Sequence, residues 1–140
     1  MSTDNTATTS TPTDSAEMTD EQIVERARAK RGGRLLPVHQ LMAEVDPQIL
    51  RKYDDLASDL LFAEQPRALD LKTRYLVLCG ITTAVKGDPD GIVWSAQRAM
   101  KEGASRREVL EAILLSALPG GVPTVEEATH VFGRIFGDES

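Results

Sequence analysis

The sequence predicts an all-α fold, a compact helical bundle, on three observations. Apolar residues recur at three- and four-residue spacing from Ile23 to Phe136, with no sustained alternation of the strand kind. Helix-start signals repeat along the chain, at Thr19, Asp46–Pro47, Asp70, Asp88–Pro89 and Ser105. Glycine and proline gather between those segments, at Gly32–Gly33, at Gly103 and from Pro119 to Pro123.

The elements follow in order. Residues 1–18, "MSTDNTATTSTPTDSAEM", are rich in Ser, Thr and Asp and nearly free of large apolar groups. Such a stretch cannot bury enough surface to offset its ordering entropy, so a disordered tail is expected. Residues 19–36 supply an N-terminal helix and linker. Thr19 caps the helix with Gln22 as reciprocal partner, Ile23, Val24 and Ala27 give it a thin apolar face, and Gly32–Gly33 stop it. The helical domain is expected over 37–140. Pro37 opens a short helix, "PVHQLMAE". Asp46 and Pro47 start "PQILRKYDDLASDLLFAE", whose Ile49, Leu50, Tyr53, Leu56, Leu60 and Leu61 make one apolar face. Asp70 caps "LKTRYLVLCGITTAVKG", apolar nearly all round, as a central buried helix is. Asp88–Pro89 begin a helix that ends at Gly103. Ser105 with Glu108 forms a second capping box before "RREVLEAILLSAL". "PGGVP" breaks the chain, and Pro123 starts a last helix towards Phe136.

Composition narrows the function. The 140 residues suit one domain with a modest core, and 41% hydrophobic with 27% charged content is that of a soluble globular chain. A net charge of −6 without a basic cluster argues against nucleic acid. No apolar run approaches the roughly 20 residues that span a bilayer, so no membrane is expected as a partner. The N-terminus has neither the basic nor the apolar segment of a secretory signal, and the expectation is a cytoplasmic protein. Cys79 is the single cysteine, which excludes an intrachain disulfide and a two-cysteine redox cycle; on the central helix it reads as a small buried hydrophobe. The two histidines, His39 and His130, are far apart, so no histidine metal site is expected. His39 reads as a surface or packing residue, and Glu126 and Glu127 as a solvated face.

The run "LDLKTRYLVLCGITTAVKG", a helix ending "RAMKEGAS", and "RREVLEAILLSALPGGVPTVEEA" resemble the carboxymuconolactone decarboxylase family, which includes the alkylhydroperoxidase D-like proteins. The resemblance covers about residues 37–136 and is most specific over "AMKEGASRREVLEAILLSALPGGVP". It implies an all-helical protomer that assembles into trimers or hexamers, with sites near protomer contacts and a small-molecule substrate. The peroxidase branch's Cys-x-x-Cys pair falls on Asp88 and Gly91. The family histidine falls on Ser95, and a glutamate after Lys-Thr-Arg falls on Tyr75. None of these family residues is present, and Asp and Gly cannot carry out thiol chemistry.

The replacements define the candidate site. Tyr75 can donate a proton or stabilise an oxyanion. Ser95 can hydrogen-bond a carboxylate or carbonyl, and would need a base to act as a nucleophile. Asp88 can serve as a base or bind a hydroxyl, although Asp-Pro is also what a helix start requires. These three are the catalytic candidates. Trp94, Gln97 and His130 are the substrate-binding candidates, with Trp94 equally suited to core or subunit interface. No cofactor and no metal is expected. The leading reading is a decarboxylase or related lyase acting on a small carboxylated or carbonyl compound. The alternatives are a non-catalytic subunit that completes a ring with an intact relative, and a small-ligand-binding module.

Overall fold

The computed structural model describes residues 15–62 and 66–137, and the chain divides into two compact units at residues 62/63. The described residues are helical, with no strand among them. The sequence-based boundaries at 18/19 and 36/37 fall inside the first unit. Residues 1–14 of the expected disordered tail lie outside the described residues. Its last part is built into the unit: Ser15–Glu17 form a 3-10 turn, the Ser15 hydroxyl donates to Asp55 at 2.6 Å, and Arg51 donates to the Met18 carbonyl at 2.8 Å.

Unit 1 continues with α1 (Asp20–Ala29), α2 (Pro37–Val45) and α3 (Pro47–Ala57). The capping box at Thr19 is formed in both directions, at 3.2 and 2.8 Å. Gly32 and Gly33 take φ of +69° and +85°, a turn that side chains disfavour. Asp46 caps α3 by accepting from the Gln48 amide at 3.0 Å. The core is Ile23, Ala27 and Leu50, with Met18, Val24, Leu35, Met42 and Ala43 packed around it.

Two further expectations for this unit are corrected. The helix expected through Glu64 keeps α winding only to Ala57; Ser58–Phe62 turn with π winding, where the Ser58 hydroxyl bonds back to the Asp54 carbonyl at 2.6 Å. The apolar face of α3 is not all core. Leu50 is buried, but Ile49, Tyr53, Leu56 and Leu60 are 46–59% exposed, because α1 and α2 pack on the Leu50 side. A buried charge cluster sits beside that core. Asp54 is fully buried and bonds Arg26 at 2.6 Å and Arg31 at 3.1 Å, with the Lys30 ammonium at 3.6 Å. Phe62 lies under Lys30 and Arg31.

Unit 2 comprises α4 (Leu71–Ala84), α5 (Pro89–Lys101), α6 (Arg106–Leu115), the single turn α7 (Ala117–Gly120), α8 (Val122–Thr129) and α9 (Phe132–Phe136). Asp70 and Ser105 cap α4 and α6 as the sequence requires, the latter in a complete capping box with Glu108. The core gathers Tyr75 and Cys79 of α4, Ile92, Val93, Ala96 and Ala99 of α5, Val109 and Ile113 of α6, and Val125 and Ile135. Fully buried alanines at 96 and 99 let α5 lie close to its neighbours.

The central helix is buried along one face rather than all round. Tyr75, Cys79 and Thr83 form the buried row, while Val77 and Ile81 are 46% and 54% exposed. The chain end also differs from expectation. In place of one helix from Pro123, α8 stops at Thr129 and α9 begins at Phe132. There the Thr129 hydroxyl donates to the Glu126 carbonyl at 2.6 Å, and the His130 amide donates to the Glu127 carbonyl at 3.2 Å in a tighter turn.

Candidate functional site

α4 and α5 pack face to face, and that contact positions most of the candidate residues. Tyr75 is 3% exposed and meets the Trp94 ring edge-on, with centroids 5.7 Å apart and planes at 82°. One turn along α5, the Arg98 guanidinium lies 5.3 Å from the centre of the Trp94 ring. Burial pushes the Tyr75 phenol above its ordinary value; Arg98 pulls the other way, and Glu102 adds to the rise. The phenol therefore stays protonated across the physiological range, as a proton donor must.

Ser95 is fully buried, and its hydroxyl serves its own helix, donating between the Gly91 carbonyl at 2.9 Å and the Ile92 carbonyl at 3.0 Å. It adjoins Cys79, whose sulfur is 3.9 Å from the Ile92 carbonyl. Burial pushes the Cys79 thiol up, with a smaller opposing effect from Ser95. An inert thiol results, not a reactive one.

The other candidates stand apart. Asp88 is exposed at the start of α5, where it accepts from the Asp90 amide at 3.0 Å as the helix cap. Seven residues of helix separate it from Ser95, on the order of 10 Å at the usual rise. Gln97 is exposed and donates to the Arg134 carbonyl of α9 at 3.4 Å. The same end of the unit is tied by Arg134 to Asp90 at 2.5 Å. His130 is exposed at the end of α8. The structure thus brings Tyr75, Trp94 and Ser95 to one helix contact, and leaves Asp88, Gln97 and His130 outside it.

Two features were not singled out from the sequence. Arg98 was missed, although its spacing of four from Trp94 on α5 was the available signal. The second is a groove of about 460 Å³ on the other side of α4, lined by Leu76, Val77, Gly80, Ile81 and Ala84, and by Ala112, Leu115, Ser116 and Pro119. Glu108 and Glu111 stand at its edge, paired with Lys72 at 3.0 Å and Arg107 at 3.0 Å. The surplus of apolar residues around α4 was its trace in the sequence. None of the candidate residues lines this groove. Among the described residues, no three of His, Cys, Asp and Glu gather so as to hold a metal ion, and no helix is long and apolar enough to cross a membrane.

Comparison with known proteins adds the lineage. A relative from Paracoccus denitrificans, an uncharacterised 15.0 kDa protein of the nqo9–nqo10 intergenic region, is 31% identical over 74 residues. That alignment covers 51% of this chain and 54% of the relative, so the chain spans about half the length of the curated relative it matches. Among solved structures, a candidate carboxymuconolactone decarboxylase from Burkholderia xenovorans LB400 superposes with a TM-score of 0.65 at 25% identity, over 87% of this chain and all of that one. The carboxymuconolactone decarboxylase family matches residues 47–133, from the start of α3 into α9. With well over half of its length matched and the same helical architecture, the chain belongs to the carboxymuconolactone decarboxylase family.

Proposed function

We propose that the protein is a cofactor-independent lyase of the decarboxylase type, acting on a small carboxylated or carbonyl compound. The observation that carries this reading is the Tyr75–Trp94–Arg98 arrangement: a phenol held protonated by burial, beside an indole backed by a guanidinium. In such a step the carbon–carbon bond to the carboxylate breaks and carbon dioxide leaves. The electron pair passes to the neighbouring carbon or carbonyl, and Tyr75 supplies the proton that quenches it. Arg98 is suited to hold the substrate anion, being planar, permanently charged and bidentate. Ser95 and Asp88 have weaker claims, because both spend their polar groups on α5 itself.

The same reading includes assembly with further copies of this chain, as a trimer or a multiple of one, in the cytoplasm. Assembly as such is supported by the uncovered apolar surface: Val77 and Ile81 on α4, Ile49, Tyr53 and Leu56 on α3, all between 46% and 59% exposed.

The test is carbon dioxide release from a panel of small unsaturated lactone acids and keto acids. Tyr75→Phe removes one hydroxyl at nearly constant volume. Turnover of an accepted compound should fall by roughly 100-fold or more, with stability changed by only about 1 kcal/mol. Arg98→Met should act mainly on KM. Unchanged kinetics in both variants, with fold and assembly intact, would remove the enzyme reading. A ligand-binding or accessory subunit, which the self-satisfied Ser95 and Asp88 favour, would then take its place.

A further inference from the structure

His39 lies on the inner side of α2 in unit 1 and is 1% exposed, yet neither Nδ1 nor Nε2 has a hydrogen-bond partner. Buried polar atoms are almost always paired, and a ring with two idle nitrogens costs stability that a phenylalanine there would not. Its neighbours show why protonation is more costly still. From α3, Tyr53 offers a ring, 5.4 Å away and tilted by 56°. From the chain just after α1, Arg31 presents a positive charge. The carboxylate that acts on the imidazole is Asp54 of α3, and both its oxygens are already engaged by Arg31 and Arg26, with Lys30 at 3.6 Å. On α2 itself, Glu44 is bonded to Gln40 on the exposed side. An imidazolium at this place would carry a second N–H and a full charge into a core where the nearby acceptor is shared among three cations.

We propose that His39 is an acid-sensitive latch: neutral, it packs α2 against α1 and α3; protonated, it expels α2, so that unit 1 opens in the weakly acidic range.

The direction of the effect follows from linkage. Burial holds the His39 imidazole below its ordinary value of 6.5, Arg31 works the same way, and Asp54 opposes. Above that value both folded and opened forms are neutral, and the latch is fully closed. As the pH falls below it the opened form takes up the proton first, so closure weakens progressively until the folded form's own value is passed. The loss saturates there. The neighbouring Asp55 does not confuse the window. Burial raises it, but the Ser15 hydroxyl and Arg26 outweigh that and hold it below its ordinary 3.8.

The experiment uses the full chain and the imidazole C–H resonances of its two histidines, with the exposed His130 as the second signal. Alongside it, amide protection factors across residues 40–45 are measured from pH 7.5 to 5.5 in the wild type, His39→Phe and His39→Met. The expected result is a His39 resonance that does not titrate until well below pH 6.5 or until α2 opens. Protection of α2 should fall by up to about tenfold per pH unit below 6.5 in the wild type, and stay level in both variants. A His39 signal that titrates at or above 6.5 with α2 protection unchanged overturns the proposal. So does an equal pH slope in wild type and variants. Should a variant fail to fold, the wild-type titration read against α2 protection decides alone.

Discussion

Asp54→Asn removes one charge from the interior of unit 1 and almost no volume. In the wild type, Asp54 Oδ2 accepts from Arg26 Nε at 2.6 Å and Oδ1 from Arg31 at 3.1 Å, while the Lys30 ammonium stands at 3.6 Å. The three cationic side chains are only 11–22% exposed. Two charge-assisted bonds at about 1.5–3 kcal/mol each set an upper limit of roughly 6 kcal/mol. The substitution does not lose all of it. Asparagine keeps one acceptor, Arg26 keeps Asp55 at 2.7 Å, and Lys30 keeps the Ser58 hydroxyl. What is lost is the fully buried charge that offsets three part-buried cations, and breaking a buried pair from one side costs about 3–5 kcal/mol. A loss of about 3–4 kcal/mol is therefore expected. Native-state hydrogen exchange at the amides of α1 and α3 reads it directly, as exchange faster by roughly 100- to 1000-fold. Asp55→Asn is the internal comparison: its carboxylate is 40% exposed, so about 1 kcal/mol or less is expected. A loss below 1 kcal/mol in Asp54→Asn, or equal losses in the two variants, would refute the view that this cluster holds α1 to α3.

The Cys79 thiol, buried and pushed up, should resist alkylation in the native protein and react at full rate only after unfolding; hydroperoxide turnover with a dithiol reductant that vanishes in Cys79→Ser would contradict this. Deleting residues 1–14 should leave melting unchanged, whereas deleting through Met18 removes the Ser15–Asp55 and Arg51–Met18 bonds and should lower stability by about 1–2 kcal/mol, read by thermal melting. Ser105→Ala should destabilise α6 by about 1 kcal/mol through loss of the capping box. The Ser105 amide and Lys72 hold the Glu108 carboxyl below its ordinary 4.5, so the stability it adds is present above that value and lost as the pH falls through the folded one; Glu108→Gln should flatten acid melting curves there. On the proposed assembly, light scattering should give a trimer or a multiple of one, and Ile81→Asp should shift it towards the monomer; a monomeric wild type contradicts the assembly, and a mass unchanged by the substitution means that this face is not an interface.

Helix starts were the most legible part of the chain. Thr19 with Gln22, Asp46, Asp70, Asp88 and Ser105 with Glu108 all cap where the sequence places them, because a cap is a local bond between residues two or three apart. What periodicity could not show is which apolar residues are covered. Leu50 and Ile49 look alike in sequence, yet one is core and the other half exposed, since burial depends on what packs from elsewhere. The break at His130 depends on a threonine hydroxyl competing for a carbonyl, too weak a signal to outrank a continuing helical pattern. At the candidate site, the family resemblance grouped Tyr75, Trp94 and Ser95; the rings of Tyr75 and Trp94 do meet, but the Ser95 hydroxyl turns inward to its own backbone. A serine's partner is settled by which way its hydroxyl can turn, and spacing alone does not record that.

Gly80 sits at the floor of the α4–α6 groove, and a Cβ there would lie 3.0 Å from the Ala112 carbonyl oxygen. The absence of a side chain at this point lets α6 come close to α4. Leu76, Ile81 and Leu115 rise from that base as walls. Exchanging them for larger or smaller residues resizes the opening without respacing the helices. A side chain at position 80 would instead require the Ala112 carbonyl to give way by a few tenths of an ångström. The shape of the groove can thus change through its walls, one residue at a time, while the approach of α4 and α6 at Gly80 is kept.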